Sequence, residues 1–236
     1  MLAILDCRTP VEAEAALIEF GHSTLRLPPH PRLSSPVASH PDMLLFFAPQ
    51  AIYCTGSYAK IAEQELLKIS KHLKKEIRTV SEDYSDKYPK DVLLNAVPIG
   101  KHLLCHPSVV ASELAECFAD FILPVHQGYT KCSVLPIGDR ALITSDESIH
   151  SAVSRAGMDV LRIMPGHIRL DGYGYGFIGG CASFSPYQKT DTIYFCGALS
   201  SHPDAASITD FCKRHGYQIR SLGRFPLTDI GTVFLL

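Results

Sequence analysis

The sequence predicts an α/β fold of five strand–strand–helix–strand units set in a ring and closed by the C-terminal strand. Three observations carry that reading. Helix signals of one kind, a Ser or Thr before the start and a Gly or turn after the end, recur along the chain. Each helix has one apolar β-like run before it and another after it, with a further run on the way to the next unit. The pattern returns about every 40–50 residues, within the range of repeat architectures. The ends are also incomplete in complementary ways. The first unit lacks a leading strand, and the last run, Thr232–Leu236, has no helix after it. Joining the two ends completes a fifth unit and removes open sheet edges.

The elements follow in order. Leu2–Leu5 is a short apolar strand, Thr9-Pro10 caps a helix from Val11 to Phe20, and Gly21 stops it before the strand Ser23–Leu27. The second unit reads Met43–Phe47, Ala51–Cys54, a long helix Tyr58–Lys75 with Leu66, Ile69 and Leu73 on helical spacing, and Ile77–Val80. The third reads Val92–Val97, His102–Cys105, a short helix from Ser108 to about Phe118, and Phe121–Val125. The fourth reads Cys132–Leu135, Ala141–Thr144, the helix Glu147–Ala156 stopped by Gly157, and Met158–Met164. The fifth reads Cys181–Phe184, Thr192–Cys196, the helix Asp204–His215 stopped by Gly216, and Tyr217–Leu222. Two copies match by eye, Ala96-Val97-Pro98-Ile99-Gly100 against Val134-Leu135-Pro136-Ile137-Gly138. A doubly wound sheet would give one parallel strand per helix, whereas here about three accompany each. The expected organisation is one domain, 1–236, with units at about 1–42 completed by 223–236, 43–91, 92–131, 132–180 and 181–222.

Composition narrows the function classes. Hydrophobic residues make up 46% and charged residues 19% of 236, enough to bury a sizeable core. Lys and Arg number 22 against 24 Asp and Glu, without long single-sign runs, so no nucleic-acid surface is expected to dominate. The longest apolar stretch, Met43 to Cys54, falls short of the roughly 20 residues a bilayer span needs. The N-terminus has no basic region or cleavage site, so a cytoplasmic protein is expected, without membrane partners. Eight cysteines without a C-x-x-C pair fit neither a disulfide scaffold nor a zinc site, and read as reduced thiols.

Residues 171–180, with glycines at 174, 176 and 179, imitate a dinucleotide fingerprint. Such a fingerprint must open a helix, and Cys181-Ala182-Ser183-Phe184 reads as a strand, so no cofactor is expected. The run reads better as a loop over the mouth of the ring, presenting Tyr173, Tyr175 and Phe177. Metal-ligand spacing is absent. The two copies of Ser-His-Pro-Asp, at 39–42 and 201–204, are both consistent with turn chemistry.

Five strand–strand–helix–strand units in a ring resemble the pentein, or guanidino-group-modifying-enzyme, superfamily. Gly128-Tyr129-Thr130-Lys131-Cys132-Ser133-Val134-Leu135 is similar to the cysteine-bearing strand of dimethylarginine dimethylaminohydrolases. With Tyr175–Cys181, it also resembles an uncharacterised bacterial branch of that fold. The resemblance implies a central cavity lined by the first strand of each unit, holding a small guanidino or amide compound. It implies Cys132 as nucleophile, His40 as acid/base and Asp42 as the carboxylate of a His-x-Asp element, with Asp229 a further carboxylate. Asn95, His126, Gln127, Lys131, Tyr173, Tyr175, Gly179, Gly180 and Cys181 would complete the binding surface. Lys131 would favour a thiolate but repel a guanidinium. The family's cysteine normally lies near the C-terminus, so this chain would be circularly permuted, and some members of the superfamily are not enzymes.

Two classes stay open: a thiol-dependent hydrolase or amidinotransferase-like enzyme, and a non-catalytic binding or assembly protein. Three expectations test the fold, the pocket and the chemistry in turn, and the third separates the two classes. Thr232–Leu236 pairs in the sheet of Leu2–Leu5. At least three of Asp42, Asn95, Cys132, Cys181 and Asp229 line one cavity. A proton acceptor, His40 first and His126 second, lies about 3–4 Å from the Cys132 sulfur, and the Gly179-Gly180 amides stabilise an anion.

Overall fold

Burial along the strands sets the architecture. The computed structural model describes residues 1–236 and divides them among five short sheets. β1 (Leu2–Asp6) leads through α1 (Val11–Glu19) to β2 (Ser23–Leu27), which lies parallel to it. A coil and the helical turn α2 (Pro41–Leu44) precede β3 (Phe46–Phe47) and β4 (Ala51–Thr55). Helices α3 (Gly56–Ile61) and α4 (Glu63–Leu73) then carry the chain to β5 (Glu76–Val80), again parallel to the middle strand. The same order repeats in β6 (Val97–Ile99), β7 (His102–Cys105), α5 (Ser112–Glu116) and β8 (Ile122–Pro124). It repeats once more, after the turn α6 (Thr130–Ser133), in β9 (Val134–Pro136), β10 (Ala141–Thr144), α7 (Glu147–Arg155) and β11 (Asp159–Arg162). The chain closes with β12 (Ser183–Phe184), β13 (Thr192–Phe195), α8 (Ala205–Arg214), β14 (Gln218–Ser221) and β15 (Val233–Leu235).

Four of the five sheets share one logic. A leading strand runs antiparallel to a middle strand, and the helix returns the chain to a parallel outer strand, the connection that parallel pairing requires. Middle strands are buried nearly throughout and outer strands are half-exposed. The fifth sheet departs from this order: its leading contact is the single bridge Ala182↔Phe195, and β12 pairs instead with β15, Ser183 opposite Val233.

The terminal strand pairs where the incomplete ends require. β15 lies antiparallel to β1 with Ala3 opposite Leu235 and Ile4 opposite Phe234, and Leu2 and Leu236 exchange both backbone hydrogen bonds at 2.8 and 2.9 Å. The matched segments also fold alike, β6 and β9 each leading into a turn with a glycine of positive φ, Gly100 and Gly138. No helix is long and apolar enough to cross a membrane, and all eight cysteines are free.

All five leading strands begin later than the sequence suggests, β12 at Ser183 rather than Cys181, which lies in a turn, and β15 at Val233 rather than Thr232. Met43 and Leu44 belong to the turn α2, Val92–Ala96 is not strand, and Cys132 lies in α6 rather than on a strand. The reason is visible at Asn95, whose Oδ1 accepts from the backbone N–H of both Lys131 (2.7 Å) and Cys132 (3.2 Å). Successive amides reach one acceptor in a helical turn, whereas in a strand they point to opposite sides. The helix expected over 58–75 is divided at Ala62 and ends on Lys74 in the left-handed region (φ 53°).

Candidate functional site

The turns that precede the leading strands carry polar residues inward, and these meet in a buried cluster. Asp42 comes from α2, Asn95 from the approach to β6, Lys131 and Cys132 from α6, and Asp229 and Thr232 from the approach to β15. All six are buried. Asn95 ties three segments together: besides its two backbone donors, its Nδ2 donates to the Asp42 carbonyl (3.0 Å) and to Cys132 Sγ (3.1 Å). Thr232 is the second junction. Its Oγ1 accepts from Lys131 Nζ (2.8 Å) and lies 2.8 Å from both Asp42 Oδ2 and the Gly179 carbonyl, between which its one hydrogen is shared. Thr232 holds this place at φ 72°, a conformation costing a β-branched residue about 1–3 kcal/mol.

The electrostatics do not make a thiolate. Burial raises the Cys132 thiol well above its ordinary pKa and Asp42 and Asp229 push the same way; the Asn95 hydrogen bond and Lys131 oppose without prevailing. Its sulfur has the Asn95 amide as its partner and no histidine. The Cys181 thiol, which donates to the Ile178 carbonyl (3.4 Å), is raised in the same way, first by burial and then by Asp229. Burial lowers the pKa of Lys131, while Asp42, Cys132 and Asp229 restrain the fall. The Lys131 ammonium also lies 5.4 Å from the Phe184 ring centre and 5.8 Å from that of Phe234.

His40 faces the other way. Its Nδ1 is 3.8 Å from Asp229 Oδ1 and its Nε2 3.7 Å from Asp6 Oδ2, and Nε2, though buried, has no hydrogen-bond partner. Asp229 is held by the backbone N–H of Phe177 (2.8 Å) and of Gly231 (3.0 Å). Burial nevertheless raises its pKa, against His40 and with Asp42. Asp6 is the opposite case. Burial alone would raise it, but Arg8 and His40 outweigh burial and hold it below its ordinary value. The Arg8 guanidinium meets Asp6 through Nε (3.1 Å) and Nη2 (2.7 Å), and donates further to the carbonyls of Ser35 (2.7 Å) and Pro36 (2.6 Å). Asp6, His40 and Asp229 reach a cleft of about 290 Å³ whose rim includes Arg8, Arg169, Asp171 and Phe225.

The sequence expectations divide accordingly. Asp42, Asn95, Cys132 and Asp229 do come together with Lys131, but neither space beside them is lined by three of these residues: Asp229 reaches the cleft, and Lys131 borders a void of about 10 Å³. His40 contacts two carboxylates rather than the thiol. The Gly179 and Gly180 amides donate to the Cys132 carbonyl (2.8 and 3.2 Å), so they are spent on structure and free for no anion. Glycine is required there by contact, because a Cβ at 179 would stand 2.3 Å from the carbonyl oxygens of Lys131 and Val134, and one at 180 would stand 1.9 Å from Asp229 Oδ1. His126 is exposed, edge-on to His106, and Gln127 bonds to Asp146 (3.1 Å) and the Tyr129 amide (3.1 Å). Tyr173 and Tyr175 are exposed on the glycine-rich loop, where Tyr175 meets Phe177 edge-on. Three residues of the site escaped the sequence reading: Asp6, Arg8 and Thr232. The signal for the first two was the charged Asp6-Cys7-Arg8 closing an apolar strand; nothing in the sequence marks Thr232.

Comparison with known proteins supports the fold. One similar solved structure is SxtG, an amidinotransferase from Microseira wollei in the saxitoxin biosynthetic pathway. The two superpose with a TM-score of 0.53 over 90% of this chain and 76% of that one, at 12% sequence identity. At that identity the likeness is one of fold alone: the chain folds in a manner similar to that amidinotransferase. No curated protein matches the chain. The profile of a family of unknown function, DUF6873, matches residues 4–234, and the chain belongs to that family.

Proposed function

We propose that this protein uses a guanidino-enzyme fold to bind a small organic cation, guanidino- or amidino-bearing, in the cleft over Asp6, His40 and Asp229, without attack by Cys132. The observation that carries this reading is His40 wedged between two buried carboxylates at the floor of an open cleft, with Nε2 unpartnered. Arg8 supplies the chemical precedent within the chain itself. Its planar fork meets a carboxylate and two carbonyls, the geometry in which a guanidinium is best recognised. The five sheets are read as blades of a closed five-bladed propeller in a single domain, with β15 as the leading strand of the first blade.

The reading is tested by calorimetric titration with methylguanidinium and arginine. Binding is expected in the wild type and in Cys132→Ser, with at least a tenfold loss in Asp229→Asn. Absence of binding, or its loss in Cys132→Ser, would sink the proposal. A second reading, thiol-dependent hydrolysis or amidino transfer, rests on the Asn95 amide and the Lys131 charge beside Cys132. Alkylation of Cys132 well below pH 8.5 would favour it, since only the thiolate reacts.

A further inference from the structure

Lys131 has no part in the cleft, yet the centre of the molecule is arranged around its ammonium. The lysine is buried (2% exposed), and its one hydrogen-bond partner, Thr232 Oγ1, belongs to a residue in the left-handed region. Asp42 and Asp229 provide the opposing charge, and the rings of Phe184 and Phe234 turn their faces to the nitrogen. Asp42 Oδ1 is buried and has no hydrogen-bond partner at all, so the cluster offers one more acceptor than Lys131 uses. The remaining space beside the lysine is lined by its own neighbours Phe46, Phe47, Phe184 and Phe234. A hydroxyl in contact, the Asp42 carboxylate on the far side of that hydroxyl and two aromatic faces about a desolvated nitrogen make up a receptor for an alkylammonium ion.

We propose that Lys131 is the tethered occupant of a built organic-cation site, and that a free primary alkylammonium takes the same place when the side chain is cut back. In the native chain the tether outcompetes any free amine, so external cations are turned away from the centre. This inference concerns the centre alone and does not depend on the reading of the cleft.

The experiment measures thermal unfolding of the wild type, Lys131→Ala and Lys131→Met with added methylammonium, propylammonium or tetramethylammonium chloride at equal ionic strength. Lys131→Ala is expected to lose stability and to regain about 3 °C or more, saturably, with propylammonium, because a ligand that binds only the folded state raises its midpoint. The wild type and Lys131→Met, whose site is filled, should show no such gain, and tetramethylammonium, which has no N–H to donate, should rescue nothing. Equal response of all variants, or rescue by every cation alike, would overturn the proposal. So would a Lys131→Met protein as stable as the wild type, because the charge would then be dispensable. Should Lys131→Ala not accumulate folded, its soluble yield on refolding with each amine gives the same readout: a gain with propylammonium alone supports the site, and equal yields overturn it.

Discussion

The centre and the cleft each set a buried carboxylate beside a basic side chain of the same chain, and they differ in what is left over. At the centre, Lys131 is buried, its stem fills the space and the thiol beside it is pushed toward its neutral form. In the cleft, Arg8 satisfies Asp6 from the surface, 45% of its side chain in water, while His40 and Asp229 stay against open volume. Two regions that share Asp229 thus differ in the room they leave, one filled by its own lysine and the other open. Depth, and not residue type, decides which is which.

The comparison can be broken hardest at Gly179. Gly179→Ala drives a Cβ into the Lys131 and Val134 carbonyl oxygens, which are backbone and cannot swing aside. A loss of about 3 kcal/mol or more is expected in urea unfolding, at the upper end of overpacking costs. Asn95→Ala strips the acceptor from two buried amides and the donor from the Asp42 carbonyl. The loss should be about 3 kcal/mol, from 1–3 kcal/mol per unmatched buried group. At Thr232 the hydroxyl and the backbone conformation can be separated. Thr232→Gly should be more stable than Thr232→Ala by about 1 kcal/mol, because it relieves the left-handed strain while both lose the hydroxyl.

The cleft responds to pH. Asp6 has a lowered folded-state pKa, so its contribution is present above the ordinary carboxylate value and is lost as pH falls through the lowered one. Arg8→Ala should therefore cost about 1 kcal/mol near neutrality, a figure reduced for the exposure of Arg8, and the difference from wild type should vanish in strong acid. Asp229 is raised, so it takes up a proton first as the solution is acidified. Cation affinity in the cleft should fall at a pH above the ordinary carboxylate range, while Asp6 is still ionised. An affinity flat down to that range would separate Asp229 from binding. The smallest effect is expected of Cys132→Ser. Stability should change by less than about 1 kcal/mol, because a serine oxygen keeps an acceptor for the Asn95 amide, and exposed Cys117 should be alkylated long before Cys132.

Much of this was legible in the chain. Apolar runs, caps and stop glycines placed the middle strands, the outer strands and most of the helices, because those elements are set by local periodicity and burial. The leading strands were misread at their starts, since the turns that hold Asp42 and Cys132 are fixed by Asn95, far away in sequence. The repeated Ser-His-Pro-Asp shows the same limit. At 201–204 the His202 ring accepts from the Asp204 amide (3.0 Å), lies 3.2 Å from the Met164 carbonyl and serves the start of a helix. At 39–42 the identical four residues supply both the cleft histidine and the central carboxylate. Composition cannot distinguish them, because the difference lies in which distant carboxylates, Asp6 and Asp229, fold against the ring of His40.

The pairing of β15 on β1 carries a kinetic consequence. Parallel pairs such as β10 and β11 close over one helix, whereas the central cluster must gather positions 42, 95, 131, 229 and 232. Contacts of such sequence separation form late, because chain closure is costly before it is rewarded. Lys131, Asp42 and Asp229 then stay hydrated through most of folding and lose their water only in the last step, when Thr232 arrives. Substitutions at Thr232 should accordingly speed unfolding and leave the refolding rate nearly unchanged, whereas truncations of Ile52 or Ile69 should slow refolding.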